Sequence, residues 1–533
     1  MRRRMGVRAE VFSFLPELGE QTHKGEDIMT TNRQLFSVGK VLLASVLWIV
    51  IVVAAVSAQE KRDEFYYLSE MNKASSVMVV EQGIVPKALG RTIAETVSKV
   101  IADAEKAGAQ RSGDYLIVEK SLIATGGPDV TRMHSGRSRQ DIGATRNRLF
   151  QRVQLIATFG SLNNARAALI DMAARYPDAI VPAYTVGVQA QPLSFGHYIL
   201  AYAEALERNA ERLRRAYANV NRSPLGSAAL GTSSFPVNRV RLANLLGFDG
   251  IVENSLDANQ ISPIDTGVEL VSVASAAALT VGTFISDLEA QYRMTTPWLT
   301  LEEGELTGTS SIMPQKRNPN ALHNVRIAAS EVLGISTTYL FKAHNVPHGL
   351  GDYKGREPQS ALNRMAQMLD NLTAVVKQLN FNAKRALDEV NDDYATTTEL
   401  ADILQRDANV PFRVGHHFAS ELVNYGRGNN LRPVEIPYDQ AKRIYTEAAG
   451  HFKMEIAQLP LDEAQFRKSL TAENMVQSAQ VIGGPQPAEV ARMLAGERTR
   501  LKADRDWLSS VQKKLEEAQN KLDTAFAQLK STE

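Results

Sequence analysis

Residues 265–294 read DTGVELVSVASAAALTVGTFISDLEAQYRM, thirty positions without a proline. The middle of this stretch is apolar all the way round, through Val268, Leu270, Val271, Val273, Ala274, Ala277 and Leu279. A helix with that circumference stays out of water only when other helices surround it. Further long proline-free stretches at 195–221, 322–342 and 359–390 supply such neighbours, so the middle of the chain predicts a bundle of long helices. Period-two alternation is scarce, which makes the expected fold all-α with only minor β structure.

The two ends of the chain differ from this centre. Near the C-terminus Leu508, Val511, Leu515, Ala518, Leu522, Ala525 and Leu529 recur at alternating three- and four-residue steps. That spacing fits a coiled-coil seam, and equally a terminal amphipathic helix docked on its own chain. Near the N-terminus residues 41–58 (VLLASVLWIVIVVAAVSA) carry no charge, follow Arg33 and Lys40, and give way to Gln59, Glu60, Lys61 and Arg62. A positive flank, an apolar stretch and a small-residue end fit a secretory signal cleaved near Ala58, so an exported, periplasmic protein is expected. The alternative is an uncleaved anchor with the rest of the chain outside the cytoplasm, since an apolar run of this length just spans a bilayer. Membrane contact is expected through this leader only. The expected organisation is a leader at 1–58, an N-terminal helical domain at 59–170, a central long-helix domain at 171–415 and a C-terminal helical domain at 416–533.

Hydrophobic residues make up 44% of the 533 and charged residues 22%, a globular balance rather than a disordered one. Lys plus Arg (60) matches Asp plus Glu (59), so no global positive field collects nucleic acid. Cysteine is absent, which rules out disulfides, thiol nucleophiles and Cys-ligated metal clusters. His416 and His417 are adjacent, so on a helix they face different ways and cannot share a metal at helical spacing. No metal or other cofactor is expected.

The chemistry concentrates in Thr307-Gly-Thr-Ser-Ser-Ile-Met-Pro-Gln-Lys-Arg-Asn-Pro-Asn320, a loop by its prolines and small polar residues. Adjacent hydroxyls at Ser310 and Ser311, the Lys316 ammonium and the Asn318 carboxamide give one short segment a proton acceptor and anion donors. From Ser310 to Pro319 the loop closely resembles the G-S-S-x-M-P-x-K-x-N-P signature of the fumarase/aspartase superfamily, with Thr309 in place of the leading Gly. Within that superfamily the chain is most similar to the argininosuccinate lyases. His134-Ser-Gly-Arg-Ser-Arg-Gln-Asp141 resembles their H-T-G-R-S-R-N-D segment, and Gln191-Pro-Leu-Ser-Phe-Gly-His197 their A-Q-P-x-T-F-G-H. Pro224-Leu-Gly-Ser227, Asn254-Ser-Leu-Asp257, and Ala395-Thr-Thr-Thr-Glu-Leu-Ala-Asp402 followed by Val410-Pro-Phe412 are further matches.

The resemblance implies a three-domain fold whose long helices join into a twenty-helix bundle in a homotetramer, each active site being built from segments of three subunits. It also implies elimination of fumarate from a substituted, succinyl-type small molecule, usually by C–N cleavage. In that reaction a weakly acidic C–H beside a carboxylate loses its proton, and the aci-carboxylate formed needs preorganised donors. By resemblance Ser310 is the catalytic base, an alkoxide supported by backbone donors and positive charge. Ser311, Lys316 and Asn318 bind substrate beside it. Arg137, Ser138, Arg139 and Gln140 hold substrate carboxylates, the arginines through paired planar hydrogen bonds. Thr185 and Gln191 complete the binding set.

Two departures bear on the reaction. Argininosuccinate lyases carry T-H-L-Q-R-A-Q-P where this chain has Thr185-Val-Gly-Val-Gln-Ala-Gln-Pro192. The acid–base histidine position is therefore Val186, which neither donates nor accepts a proton. Where the family has L-P-x-x-Y-N-K-D-x-Q, the chain reads Val346-Pro-His-Gly-Leu-Gly-Asp-Tyr-Lys-Gly355, with Leu350 for Tyr and Gly355 for Gln around the arginine end of the family's substrate. His344, His348 and Tyr353 are candidates to line a different pocket there. The expectation is a C–N lyase that releases fumarate from an N-substituted aspartate or related aminopolycarboxylate other than argininosuccinate. A non-catalytic dicarboxylate-binding protein on the same scaffold is the alternative that Val186 motivates, and a structural oligomer resting on the C-terminal seam is a third.

Overall fold

The computed structural model describes residues 62–455 and 458–531, and the leader at 41–58 lies outside them. Three helices come first: α1 (Glu64–Glu81), α2 (Lys87–Ala104) and α3 (Tyr115–Gly126). The long helix α4 (Arg139–Arg175) follows. A capping box fixes its start: Ser138 Oγ accepts the Gln140 N–H, and Asp141 accepts the Ser138 N–H at 2.8 Å, so two otherwise orphaned donors are satisfied. Strands β1 (Ile180–Thr185) and β2 (Val188–Ser194) then pair antiparallel across a two-residue turn. The centre continues through α5 (Phe195–Val220), α6 (Ser262–Gln291) and β3 (Leu299–Leu301). The short hairpin β4 (Gly308–Thr309) and β5 (Arg317–Asn318) leads into α7 (Asn320–Ala343) and α8 (Glu357–Lys377), after which β6 (Leu379–Phe381) pairs with β3. Helices α9 (Thr397–Ala408), α10 (Phe412–Gly428) and α11 (Tyr438–His451) surround a separate core centred on Phe418, Tyr445 and Phe466. The last helix is α12 (Pro487–Ser531).

Helix α6 is the stretch from which the fold was read. It reaches back to Ser262 because Pro263 falls in its first turn, where a missing N–H costs no helical hydrogen bond. Leu270, Val271, Val273, Ala274, Ala277, Val281, Phe284 and Leu288 are buried against α5, α7 and α8, and full burial of a large apolar side chain is worth about 1.5–3 kcal/mol. Within one chain the helix is not covered on every side, however. Ser272, Leu279, Thr283 and Ser286 stay exposed, Leu279 at 61%, and their steps of seven, four and three residues keep them on one face. The proline-free stretch at 359–390 is likewise not one helix, since the chain turns at Gln378 to give β6 its partner.

Helix α4 runs unbroken past residue 170, where a domain boundary was expected, because it contains no proline to stop it. The seam of α12 faces the chain's own cores. Val511, Ala518 and Leu522 are buried, and Leu508, Leu515, Ala525 and Leu529 pack beside them. Docking on its own chain is thus the realised reading of that spacing, and the contacts run along α4 to α1 and α2 rather than to α9–α11. Where α12 crosses α4, the fully buried Arg166 pairs with Glu497 at 3.2 Å and with Asp504. A buried guanidinium is tolerable only with both carboxylates in place.

The long helices alternate in direction, so the bundle has two ends. Arg148, early in α4, donates to the Asn219 and Val220 carbonyls at the end of α5 and to Ser262 Oγ at the start of α6. The Tyr339 hydroxyl, late in α7, donates to the Pro263 carbonyl, and Lys342 pairs with Glu357 at the start of α8. This near end therefore gathers the starts of α4, α6 and α8 with the ends of α5 and α7. At the far end Phe195, opening α5, stacks on Phe381 of β6 with ring centres 4.1 Å apart, and Tyr176 after α4 meets the same ring at 5.0 Å. At about 1.5 Å per residue, the 30 residues of α6 separate the two ends by roughly 45 Å.

Candidate active site

Four motif segments meet at the near end. Asp141 accepts the N–H of Ser138 and, from 85 residues away, that of Gly226, both at 2.8 Å. Ser227 Oγ accepts from Asn259 Nδ2 at 3.0 Å, and the same amide donates to the Ala228 and Ala229 carbonyls. Gln260 takes the Gly349 N–H on Oε1 at 2.9 Å and the Tyr353 hydroxyl on its backbone carbonyl at 3.1 Å. Gln140 Oε1 accepts from Lys354 Nζ at 2.7 Å, joining positions 214 residues apart. Segments 134–141, 224–227, 254–260 and 346–355 are thereby tied into one place. Burial pushes the Asp141 carboxyl up to about 6, against the pull of the Ser138, Gly226 and Ala228 amides and the Arg137 charge. Burial pushes the His134 imidazole down to about 3, and the charge of Arg137 adds to the shift.

Arg137 does not face the site. Its Nη1 donates to Ser75 Oγ at 2.8 Å and to the Met71 carbonyl, its Nη2 donates to Asn72 Oδ1 at 2.9 Å, and the Tyr115 ring lies 5.4 Å from the guanidinium. The expectation that it holds a substrate carboxylate is corrected: both terminal nitrogens already have protein acceptors, and the residue ties its segment to α1. Ser138 spends its hydroxyl on the α4 cap. Arg139 is exposed and pairs with no carboxylate among the described residues. Tyr353 is 3% exposed and bonds Gln260, while His344 and His348 are exposed.

The signature loop sits at the far end. Gly308 pairs with Asn318 and Thr309 with Arg317, so residues 310–316 form the tip of a hairpin. Arg317 braces the tip, donating to Glu303 Oε2 at 2.8 Å and to the Pro314 carbonyl at 2.8 Å. Ser310 Oγ accepts two backbone N–H groups, from Met313 at 3.0 Å and Ile312 at 3.3 Å. Donors aimed at a hydroxyl oxygen favour its ionised form, which is what a serine base requires. Ser311 and Lys316 are exposed, Asn318 is half-buried, and Lys316 pairs with no carboxylate among the described residues. Thr185 and Gln191 lie on β1 and β2, both exposed. Between these strands Val186 and Gly187 form the turn with φ of 53° and 77°, and the Val186 side chain is fully exposed.

The sequence-derived residues therefore fall into two groups. Arg139 and Gln140 stand at the near end, and Ser310, Ser311, Lys316, Asn318, Thr185 and Gln191 at the far end, so one chain does not unite them. Asn259, Gln260 and Lys354 belong to the near-end cluster and escape a motif reading. The signal for the first two is their place directly after Asn254-Ser-Leu-Asp257; for Lys354 it is a charge arriving beside the lost polar positions Leu350 and Gly355.

Known proteins resemble this chain in sequence and fold. A family model described as lyase matches residues 91–334, and one described as argininosuccinate lyase C-terminal matches residues 394–477. The argininosuccinate lyase of Methanocaldococcus jannaschii is 32% identical over 459 residues, covering 84% of this chain and 90% of that one. That of Methylibium petroleiphilum is 31% identical over 437 residues, covering 80% and 89%. Among solved structures, EDDS lyase in complex with formate superposes with a TM-score of 0.81 at 29% identity, covering 88% of this chain and 92% of that one. A fumarate lyase from Mesorhizobium sp. BNC1 shares the fold with a TM-score of 0.63 at 16% identity, covering 82% and 96%. The match spans both ends of the bundle and the helices between them, and the chain belongs to the fumarase/aspartase superfamily, close to the argininosuccinate lyases.

Proposed function

We propose that this protein is a lyase that breaks a C–N bond and releases fumarate from an N-substituted aspartate or related aminopolycarboxylate. The observation that carries the reading is Ser310, whose oxygen receives two backbone N–H groups in a braced hairpin tip that also bears Lys316, exposed and paired with no carboxylate among the described residues. As an alkoxide Ser310 removes the proton beside a substrate carboxylate. Lys316 and Asn318 then take up the charge that develops on that carboxylate. The C–N electron pair leaves with the amine. Val186 offers the amine no proton, so the amine takes one from water, and substrates with good amine leaving groups are favoured.

The separation of the two ends supports an oligomer, a homotetramer by resemblance, in which the far end of one subunit meets the near end of another. Leu279 on the otherwise hydroxyl-bearing stripe of α6 and the exposed Ile327 and Phe341 of α7 give copies of the chain apolar side chains to cover. Leu350 and Gly355 place no polar side chain where a substrate guanidinium would need partners, which supports exclusion of argininosuccinate. Residues 41–58 support action outside the cytoplasm.

Fumarate absorbance, followed while purified residues 59–533 meet a panel of succinylated amines, tests the reaction. Ser310→Ala is expected to lower turnover by at least roughly 10²–10⁴-fold while binding through Lys316 and Asn318 survives. Unchanged release by that variant would remove Ser310 from the mechanism. A wild type that binds fumarate but releases none from any member of the panel would replace the lyase reading with dicarboxylate binding.

A further inference from the structure

One imidazole beside the signature loop has no part in the mechanism above. His323 lies in the first turn of α7, the helix that follows Asn318 and Pro319. Helical side chains lean toward the helix N-terminus, so His323 covers the turn that leads back to Asn318. It shares a helix face with Asn320, three positions earlier. That face meets the signature hairpin, since a Cβ at Gly308 of β4 would run into the Asn320 amide.

A neighbour fixes its tautomer. Arg326 Nη2 lies 3.0 Å from His323 Nδ1. A guanidinium has donors only, so Nδ1 accepts and the ring hydrogen sits on Nε2. Arg326 is itself held by Glu289, in the last turn of α6, at 3.5 Å. The Nε2–H donates to no other described residue, and the His323 side chain is exposed. An imidazolium would have no lone pair for Arg326, so the ring stands as a neutral donor. Surrender of its last N–H would leave an imidazolate, so it offers a hydrogen bond and not a proton.

We propose that His323 is a further catalytic residue: its Nε2–H joins Lys316 and Asn318 at the carboxylate that gains charge when Ser310 takes the proton. This rests on the lyase reading above and adds to it a donor from outside the signature motif. No bond to the imidazole forms or breaks. An oxygen of the aci-carboxylate accepts from Nε2, and the hydrogen bond strengthens as the second negative charge develops. The role differs from that of the acid–base histidine whose position Val186 occupies, because it acts on the fumarate half and leaves the amine to water.

Kinetics and binding test it separately. On a substrate from the panel above, His323→Phe is expected to lower kcat by roughly 10²-fold, the usual loss for one donor to a developing oxyanion, with little change in KM. His323→Gln keeps a side-chain N–H and should retain most of the rate. Binding is followed by calorimetry with succinate and with 3-nitropropionate added as its nitronate anion. The nitronate replaces one carboxylate of succinate by a planar group with two negative oxygens, as in the aci-carboxylate. Wild type should bind it more tightly than succinate, and His323→Phe should weaken it by roughly 10–100-fold while succinate binding falls far less. Nitronate binding that depends on His323 in a protein that releases no fumarate would reject the lyase reading and leave the donor assignment standing. A Phe variant that turns over at the wild-type rate, a Gln variant as slow as the Phe variant, a nitronate that binds no tighter than succinate, or equal weakening of the two ligands would overturn the proposal. Thermal melts of both variants guard against loss of fold.

Discussion

The two ends of the bundle draw on similar polar residues and use them in opposite ways. At the near end Asp141, Arg148, Asn259 and Gln260 are buried and spend their hydrogen bonds on one another's segments. At the far end the Ser310 hairpin and the Val186 turn are held by backbone pairing at their bases and carry Lys316, Ile312 and Val186 into solvent. A buried network tied across distant segments fixes geometry, and its members are costly to disturb. An exposed tip is free to meet another surface. The near end is thus a fixed half-site, while the far end is an exposed half, which in the proposed oligomer another copy of the chain covers.

The largest expected effect tests that division directly. Arg139→Ala at the near end and Ser310→Ala at the far end should each, alone, lower fumarate release by roughly 10²-fold or more. Co-expressed with different tags and purified through both, the two variants should recover a measurable part of wild-type activity, because some sites then draw an intact near end from one chain and an intact far end from another. Doubly tagged oligomers with no recovery would show that both halves of a site come from the same chain, and the contrast between the ends would lose its meaning.

The bundle was legible in the sequence because the cause is local: the apolar run at 265–294 drives most of its helix against α5, α7 and α8, leaving one stripe open. The Ser310 loop was legible because its residues are contiguous. What the sequence hid depends on distant partners. An arginine in His134-Ser-Gly-Arg-Ser-Arg looks the same whether its acceptors are substrate oxygens or Asn72 and Ser75, which lie more than sixty residues upstream. A set of motifs reads as one site, and only the helix directions place Gln140 and Ser310 at opposite ends. The α12 seam reads alike for a partner helix and for α4, and the choice was made by Arg166, Glu497 and Asp504, three charges on faces that no short-range pattern connects.

An intermediate effect is expected at the near end alone. His134 stacks on Tyr115 with ring centres 4.3 Å apart, its Nδ1 buried without a partner among the described residues, and its pKa is lowered from 6.5 to about 3 by burial and by Arg137. Between those values the unfolded chain binds a proton that the folded chain refuses, so stability is lost as pH falls from 6.5 toward 3. Asp141 acts in reverse: raised from 3.8 to about 6, it makes the folded chain bind the extra proton, so its contribution grows as pH falls through that window. His134 has the wider window and should dominate. His134→Phe keeps the stack and removes the proton, so at pH 5 the variant should melt higher than wild type by on the order of a few degrees, with little gain at pH 8. Calorimetry at the two pH values decides it, with Val186→Asn as the far-end control. An equal change at both would mean that the imidazole is not held neutral by the fold.

The smallest expected effect lies at the far-end turn. Val186 at φ 53° and Gly187 at φ 77° are the two positive-φ positions of a two-residue hairpin, the type I′ arrangement that favours Asn-Gly. A β-branched residue there is strained by about 1–2 kcal/mol, and Val186 is fully exposed, so no packing offsets the cost. Val186→Asn should therefore stabilise by about 0.5–1 kcal/mol, read as a higher denaturant midpoint with an unchanged slope. Val186→His tests chemistry at the same backbone. If the turn reaches the leaving amine of a neighbouring subunit's substrate, the imidazole should raise the rate on poor amine leaving groups more than on good ones, and Val186→Asn should show no such selectivity. A stabilised Asn variant beside a His variant that changes no rate would mean that strain at this turn is incidental and that the tip stands clear of the reacting nitrogen. A His variant that speeds good and poor leaving groups alike would point to packing rather than proton transfer as its contribution.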